Sequence, residues 1–108
     1  MADPATIAEI MNQMWTKFLP DIEERVAVLE RAGQAFSQGA LTSELRREAS
    51  SAAHKLAGTL GTFGLDEGTV IAREAESIYQ SDTSAAMQDG RPGALAAQLR
   101  VILASRSH

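Results

Sequence analysis

The chain has 108 residues, 14 acidic against 10 basic side chains, a net charge of −4 and no cysteine. This length predicts one domain, residues 1–108, and the absence of cysteine excludes disulfide scaffolds, cysteine-ligated zinc and thiol catalysis. The acidic balance argues against nucleic-acid partners and against an anionic membrane surface, and no apolar run approaches the ~18 residues of a membrane span. We therefore expect a cytoplasmic protein.

The first predicted helix follows Pro4 and ends before Pro20, because proline disfavours helical geometry in the residue that precedes it. Its apolar residues recur at steps of three and four: Ile7, Ile10, Met11, Met14, Trp15, Phe18 and Leu19. We interpret this stripe as core packing. A partner groove around Met11, Met14 and Trp15, or a dimer contact, is the alternative.

The second predicted helix begins at Pro20 and ends at Gly39. Asp21, Glu23 and Glu24 fall in its first turn, where the helix dipole favours negative charge. Its buried stripe is predicted to be Ile22, Val26, Leu29 and Phe36.

A third helix is predicted between the N-cap Thr42 and the terminating Gly64, and a fourth begins near Asp66 and Glu67. The third helix carries the stripe Leu45, Ala49, Ala52, Leu56, Leu60 and Phe63. The fourth helix is predicted to face the core with Ile71, Ala75, Ile78 and Tyr79.

Residues 81–93 are rich in Ser, Asp, Gln, Gly and Pro, which predicts a loop. The last helix is predicted from Pro92 or Gly93, with frayed residues 105–108. Its apolar face is Leu95, Leu99, Ile102 and Leu103. The pattern as a whole predicts an all-α, antiparallel four-helix bundle with an additional short N-terminal helix.

His54 is the candidate functional residue, because its spacing from Ala52 and Leu56 turns it away from the buried stripe of the third helix. Its neighbours on the helix surface are small: Ser50, Ser51, Ala57, Gly58 and, one turn further on, Gly61. An imidazole in such surroundings is open to close approach by another protein.

Gly58 and Gly61 strengthen this interpretation, since each glycine inside a helix costs about 1 kcal/mol relative to alanine. Two explanations remain open from the spacing. Either a neighbouring helix packs closely against these glycines, or they leave room for a partner beside His54.

The segment at residues 53–65, AHKLAGTLGTFGL, resembles the phospho-accepting segment of histidine-containing phosphotransfer (HPt) domains, particularly those attached to multidomain bacterial response regulators. The resemblance implies a helical bundle in which His54 takes a phosphoryl group from the aspartyl phosphate of one receiver domain and passes it to another. It implies no cofactor in this chain, because the Mg²⁺ would belong to the partner receiver domain. A hybrid histidine kinase is a further implied partner, and no autonomous kinase activity is expected.

One departure from the family concerns the cation beside the histidine. Many members carry lysine three residues after the histidine, where this chain has Ala57, and the lysine here is Lys55. Adjacent helical residues lie about 100° apart, so Lys55 need not sit over the ring. Arg47, seven residues upstream, lies on nearly the same face and is the alternative source of positive charge.

Other functions have weaker support in the sequence. A helical interaction module that never carries phosphate is the main alternative. The glycines of GTLGTFG match no phosphate-loop fingerprint, which argues against a nucleotide enzyme. No metal site is expected, because His54 and His108 are the only histidines and the acids, Glu74 and Glu76 among them, are interpreted as solvated.

Overall fold

The computed structural model describes residues 4–80 and 90–106, and this part of the chain forms four helices and no strand. The helices are α1 (Pro4–Ser37), α2 (Ser43–Thr62), α3 (Asp66–Gln80) and α4 (Arg91–Arg106). Among the described residues, no helix is both long enough and apolar enough to cross a membrane.

The prediction of a separate short N-terminal helix is wrong, because α1 continues through Pro20 as one 34-residue helix. Proline removes one backbone hydrogen bond from a helix interior and disfavours helical geometry just before it. Tertiary packing overrides this local preference. Trp15 and Ile22 are buried on either side of the proline, with Leu19 packed against the core between them, so both halves of α1 share one apolar stripe.

The acidic residues after Pro20 consequently lie in the middle of α1 and not in a first turn. Their predicted interaction with a helix dipole is therefore wrong. Instead, carboxylates on this stretch pair across the α1–α4 contact. The guanidinium of Arg100 donates to both oxygens of Glu30 at 3.0 and 3.2 Å and lies 3.8 Å from Glu23.

The predicted ends of α2 are confirmed by its caps. Thr42 has extended backbone geometry, and its hydroxyl accepts a hydrogen bond from the amide of Leu45 at 3.1 Å. Gly64 has a φ of +73°, the left-handed conformation that glycine adopts without steric cost. The chain therefore reverses within three residues, and α3 returns alongside α2.

The four helices pack as an antiparallel bundle in the order α1–α2–α3–α4, and α4 closes the ring against α1. Contacts join early residues of one helix to late residues of its neighbour: Trp15 with Phe63, Arg31 with Glu48, Ala57 with Thr69, Glu74 with Arg91, and Asn12 with Arg106. The large, fully enclosed core side chains are Ile22, Val26, Leu29, Leu56, Leu60, Leu95 and Leu99, which confirms most of the predicted stripes.

The apolar stripe at the N-terminal end of α1 is only partly buried. Trp15 is enclosed, but Ile7, Ile10, Met14 and Phe18 are exposed. Core packing is therefore wrong as an interpretation of the whole stripe. Residues 4–11 extend past the ends of α2 and α4, whose last turns meet α1 near Trp15.

At the other end of the chain, α4 begins at Arg91, slightly earlier than predicted, and Ser105 and Arg106 are still helical. The guanidinium of Arg106 lies 5.2 Å from the centre of the Trp15 ring and donates to Asn12, which holds the last turn. Residues 81–89 of the predicted loop and residues 107–108 of the predicted frayed end lie outside the described residues.

Candidate functional site

His54 lies on the solvent side of α2, as predicted. Its side chain is 75% exposed, whereas Leu56 and Leu60, on the opposite side of the helix, are fully buried. A helix with one buried and one open face presents every third or fourth residue to the same side. The buried leucines thereby anchor α2 with His54 pointing outward.

The His54 ring is held by a carboxylate on the neighbouring helix. Its Nδ1 lies 2.8 Å from Oε2 of Glu76 on α3, and the Glu76 side chain is only 19% exposed. The side-chain amide of Gln80 donates to the same carboxylate oxygen at 3.3 Å. The expectation that Glu76 is a solvated surface acid is therefore wrong.

This contact defines the chemistry of the ring. A carboxylate can only accept hydrogen bonds, so Nδ1 of His54 is the donor to Glu76. In the neutral ring one nitrogen carries the proton and the other carries the lone pair. Nε2 then carries the lone pair, on the side of the ring away from Glu76.

A shallow depression surrounds His54 and contains four of the predicted site residues, His54 included. It is lined by Arg47, Ser50, Ser51, His54, Glu76 and Gln80. Arg47 therefore lies beside the histidine, as its seven-residue spacing predicts. Lys55 is exposed but does not line the depression.

The two glycines of α2 are not needed for packing against residues 4–80 and 90–106. A Cβ atom at Gly58 would meet nothing within 4 Å, and one at Gly61 would make an ordinary 3.4 Å contact with the hydroxyl of Thr69. The sequence left two explanations open for these glycines, and the first, close packing of a neighbouring helix, is therefore wrong at Gly58. Ala57 is buried, and its carbonyl accepts a hydrogen bond from Thr69, so it cannot form part of an exposed docking surface as predicted.

The exposed residues of α2 include a strip that runs through His54, which we call the His54 face. We define it as Arg47, Ser51, His54, Lys55, Gly58 and Gly61. A groove between α1 and α2 borders this face on the side away from α3. Its apolar walls come from Met14, Phe18 and Phe63, and the two phenylalanine rings lie 6.4 Å apart. Its polar lining comes from Asp21 and Arg25 on α1 and from Thr59 and Thr62 on α2.

Sequence reasoning missed the contact of Glu76 with His54, the role of Gln80 and the α2 side of the groove; its alternative of a partner groove named Met14, which lines the groove, but also Trp15, which is buried. All three depend on which residues of different helices come side by side, and no spacing within one helix reports that. Among residues 4–80 and 90–106, no cluster of three or more His, Cys, Asp or Glu side chains is arranged to hold a metal ion.

Comparison with known proteins gives two matches. Residues 13–105, most of the chain, match the family model described as "Hpt domain". Protein RcaC of Microchaete diplosiphon is 36% identical over 66 residues, which are 61% of this chain and 10% of RcaC. The matched stretch thus covers about a tenth of that relative's length. No solved structure matches the chain.

Proposed function

Because the chain belongs to the Hpt domain family, whose members relay phosphoryl groups in two-component signalling, we propose that it is a phosphorelay intermediate acting through His54. His54 accepts a phosphoryl group from the aspartyl phosphate of one receiver domain and passes it to a second receiver domain. One observation carries this proposal: the side chain of His54 is three-quarters exposed, and its Nδ1 is hydrogen-bonded to the carboxylate of Glu76. The proposal places the protein in the cytoplasm, with the receiver domains that it meets.

The bond changes in this transfer need little equipment in the chain itself. The Nε2 lone pair forms a bond to phosphorus as the bond between phosphorus and the aspartyl oxygen breaks, and the aspartate leaves with the electron pair. Phosphoryl transfer depends chiefly on positioning and on stabilising charge. In this proposal the receiver domain supplies the aspartate and the Mg²⁺, and the chain supplies an oriented imidazole.

Arg47 is the cation that we assign to the phosphoryl oxygens, because it lines the same depression as His54. A guanidinium can donate two parallel hydrogen bonds to a phosphoryl group. Lys55 lies outside the depression and is assigned to contact with the receiver surface.

The receiver domain is proposed to seat on the His54 face and on the adjoining groove. The face includes the small residues Ser51, Gly58 and Gly61 and leaves open space at Gly58, while the groove offers exposed apolar side chains at Met14 and Phe18. A polar reacting centre beside an apolar contact area suits a partner that must dock and then exclude water from the transfer. A hybrid histidine kinase carrying a receiver domain would dock in the same way.

The first test replaces the acceptor by a residue of similar size that cannot form the phosphorus–nitrogen bond. With a receiver domain carrying labelled aspartyl phosphate, we expect acid-labile label on the wild-type chain and none on His54→Gln. Circular dichroism should give both proteins the same helix content, because His54 is exposed and outside the core. The matched control is His108→Gln, which changes the other histidine of the chain and should accept label normally.

Two results would contradict the proposal. Equal labelling of His54→Gln would show that another residue accepts the phosphoryl group. Failure of the wild-type chain to take label from any of a panel of receiver domains would favour the interaction module that binds without carrying phosphate.

A further inference from the structure

We propose that Glu76 keeps the proton on Nδ1 of His54 after phosphorylation, so that the phosphorylated ring remains a cation and gives up its phosphoryl group readily. This inference rests on the proposed function and concerns the lifetime of the phosphorylated state. Glu76 acts here as a positioning residue, through His54.

The geometry supports a lasting contact between the carboxylate and the ring. Oε2 of Glu76 lies 2.8 Å from Nδ1, a short distance typical of a charge-assisted hydrogen bond. The carboxylate is largely shielded by the bundle and receives a second hydrogen bond from Gln80, one turn later on α3. Phosphorylation occurs on Nε2, the other nitrogen, and leaves the Nδ1 contact in place.

The transfer leaves a positive charge on the ring. Before it, the neutral ring of His54 has a proton on Nδ1 and a lone pair on Nε2. That lone pair forms the bond to phosphorus, the aspartyl carboxylate leaves with the electrons of the broken bond, and no proton moves. The product is an imidazolium that carries the phosphoryl group on Nε2 and a proton on Nδ1.

The position of the Nδ1 proton decides how easily the phosphoryl group leaves. If the proton stays, breaking the phosphorus–nitrogen bond returns an electron pair to a cation, and a neutral imidazole departs. If the proton is lost, the same step must expel an imidazolate anion, which is a poorer leaving group. Phosphoryl transfer onward to an aspartate, or to water, is faster from the protonated ring.

Glu76 favours the protonated form of the phosphorylated ring, because its carboxylate can accept a hydrogen bond from Nδ1 but cannot donate one. Loss of the Nδ1 proton would place a nitrogen lone pair 2.8 Å from a carboxylate oxygen, two acceptors with no hydrogen between them. Glutamine at this position could donate its amide hydrogen to the deprotonated nitrogen. A carboxylate and an amide of the same size should therefore have opposite effects on the phosphorylated ring.

The other charged groups near His54 do not favour the cation. Arg47 and Lys55 on α2 and Arg73, one turn before Glu76 on α3, are all positive. Among the described residues that line the depression, Glu76 provides the carboxylate, and α1 and α4 provide no side chain. We therefore assign the retention of the Nδ1 proton to Glu76.

The test uses the full chain and a small-molecule donor, phosphoramidate, so that no receiver domain is needed to load His54. Wild type, Glu76→Gln, Glu76→Ala and the control Glu24→Gln are phosphorylated, and loss of phosphohistidine is followed by ³¹P NMR between pH 5 and pH 9. Glu24 is an exposed carboxylate on α1, so its variant matches the charge change at a distance from the site.

At pH 8 we expect Glu76→Gln to lose its phosphoryl group about threefold to tenfold more slowly than wild type, the range for a proton affinity altered by up to tenfold. The pH profile of the rate of phosphohistidine loss should move to lower pH in Glu76→Gln. The rate for Glu76→Ala should fall between those of wild type and Glu76→Gln, and the rate for Glu24→Gln should match wild type. Equal rates and superimposable pH profiles for wild type and Glu76→Gln would overturn the inference.

The outcomes separate this inference from the proposed function. If phosphoramidate labels His54 and the Glu76 variants behave as expected, but no receiver domain transfers to His54, the proposed function fails and the inference about the ring stands. If neither phosphoramidate nor any receiver domain labels His54, the ring is not an acceptor and both fail.

Discussion

The His54 face and the contact between α1 and α4 both contain glycine within a helix, and the two regions use it in opposite ways. At Gly58 an added Cβ would meet nothing within 4 Å. At Gly33 of α1 it would lie 3.0 Å from the backbone nitrogen and 3.1 Å from the Cα atom of Gly93 on α4. Glycine at position 33 lets two helices approach, whereas glycine at position 58 keeps a surface clear.

The difference matters because backbone cannot move aside as a flexible side chain can. Gly33 is buried against the first turn of α4, so any larger residue must separate the two helices. Nothing in the described residues imposes a comparable restriction at Gly58. Glycine has a low helix propensity, and no described residue packs against position 58 to explain its presence there. This supports an interaction outside the chain.

The largest expected effect is on transfer, from Gly58→Leu. A branched side chain beside His54 should hold an approaching receiver away from the ring. We expect transfer to slow about tenfold to a hundredfold, the cost of displacing reacting groups by about 1 Å. Stability should rise by about 0.5–1 kcal/mol, because leucine is a better helix former than glycine.

Transfer from a labelled receiver domain, expressed per folded molecule, and urea unfolding would measure the two effects of Gly58→Leu separately. A loss of stability with an unchanged transfer rate would identify Gly58 as a packing residue and remove the contrast with Gly33.

The second effect is on stability, from Gly33→Leu. The side chain would be forced against the backbone of Gly93, and overpacking of this kind costs about 1–3 kcal/mol in unfolding free energy. Phosphoryl acceptance per folded molecule should be unchanged, because His54 lies on the other side of the bundle from α4. Urea unfolding with and without the substitution measures this cost, and an unaltered midpoint would show that α1 and α4 separate freely.

The smallest effect is a pH dependence in the α3–α4 contact, away from His54. The guanidinium of Arg91 donates to Glu74, with an Nη2–Oε1 distance of 2.6 Å, and this hydrogen bond holds the pKa of Glu74 below its ordinary value of 4.5. A carboxyl group whose pKa is lowered in the folded state contributes stability above its unfolded pKa and loses it as the pH falls through the folded value.

Wild type should therefore be slightly more stable than Glu74→Gln at pH 7, and the difference should disappear as the pH falls below 4.5. Urea unfolding at a series of pH values tests this, with Glu24→Gln as the control that keeps the ion pair. A difference that persists at pH 3 would mean that the substitution acts through packing.

Prediction from the sequence succeeded where neighbouring residues decide the outcome. Thr42 caps α2 because its hydroxyl reaches an amide three residues away, and Gly64 ends the turn because of its own backbone geometry. The exposure of His54 follows from the helical period and the leucines around it. These interactions lie within one or two turns of the chain.

Prediction failed where distant residues decide the outcome. At Pro20 the local preference for a break is weaker than the burial of Trp15 and Ile22 on one continuous stripe. Glu76 was interpreted as a surface acid because its partner lies 22 residues away on another helix. Ala57, small and next to the glycine, is nevertheless enclosed by α3.

The sequence by itself determined that this protein is helical, where most of its helices end, and that one histidine stands on an open face among small residues. These follow from periodicity, capping and backbone preference, which act over a few residues. Only the tertiary structure decided that α1 is one helix, that Glu76 holds the His54 ring, and that Gly58 faces open space. Those depend on the register between helices, which is set by how the whole core packs.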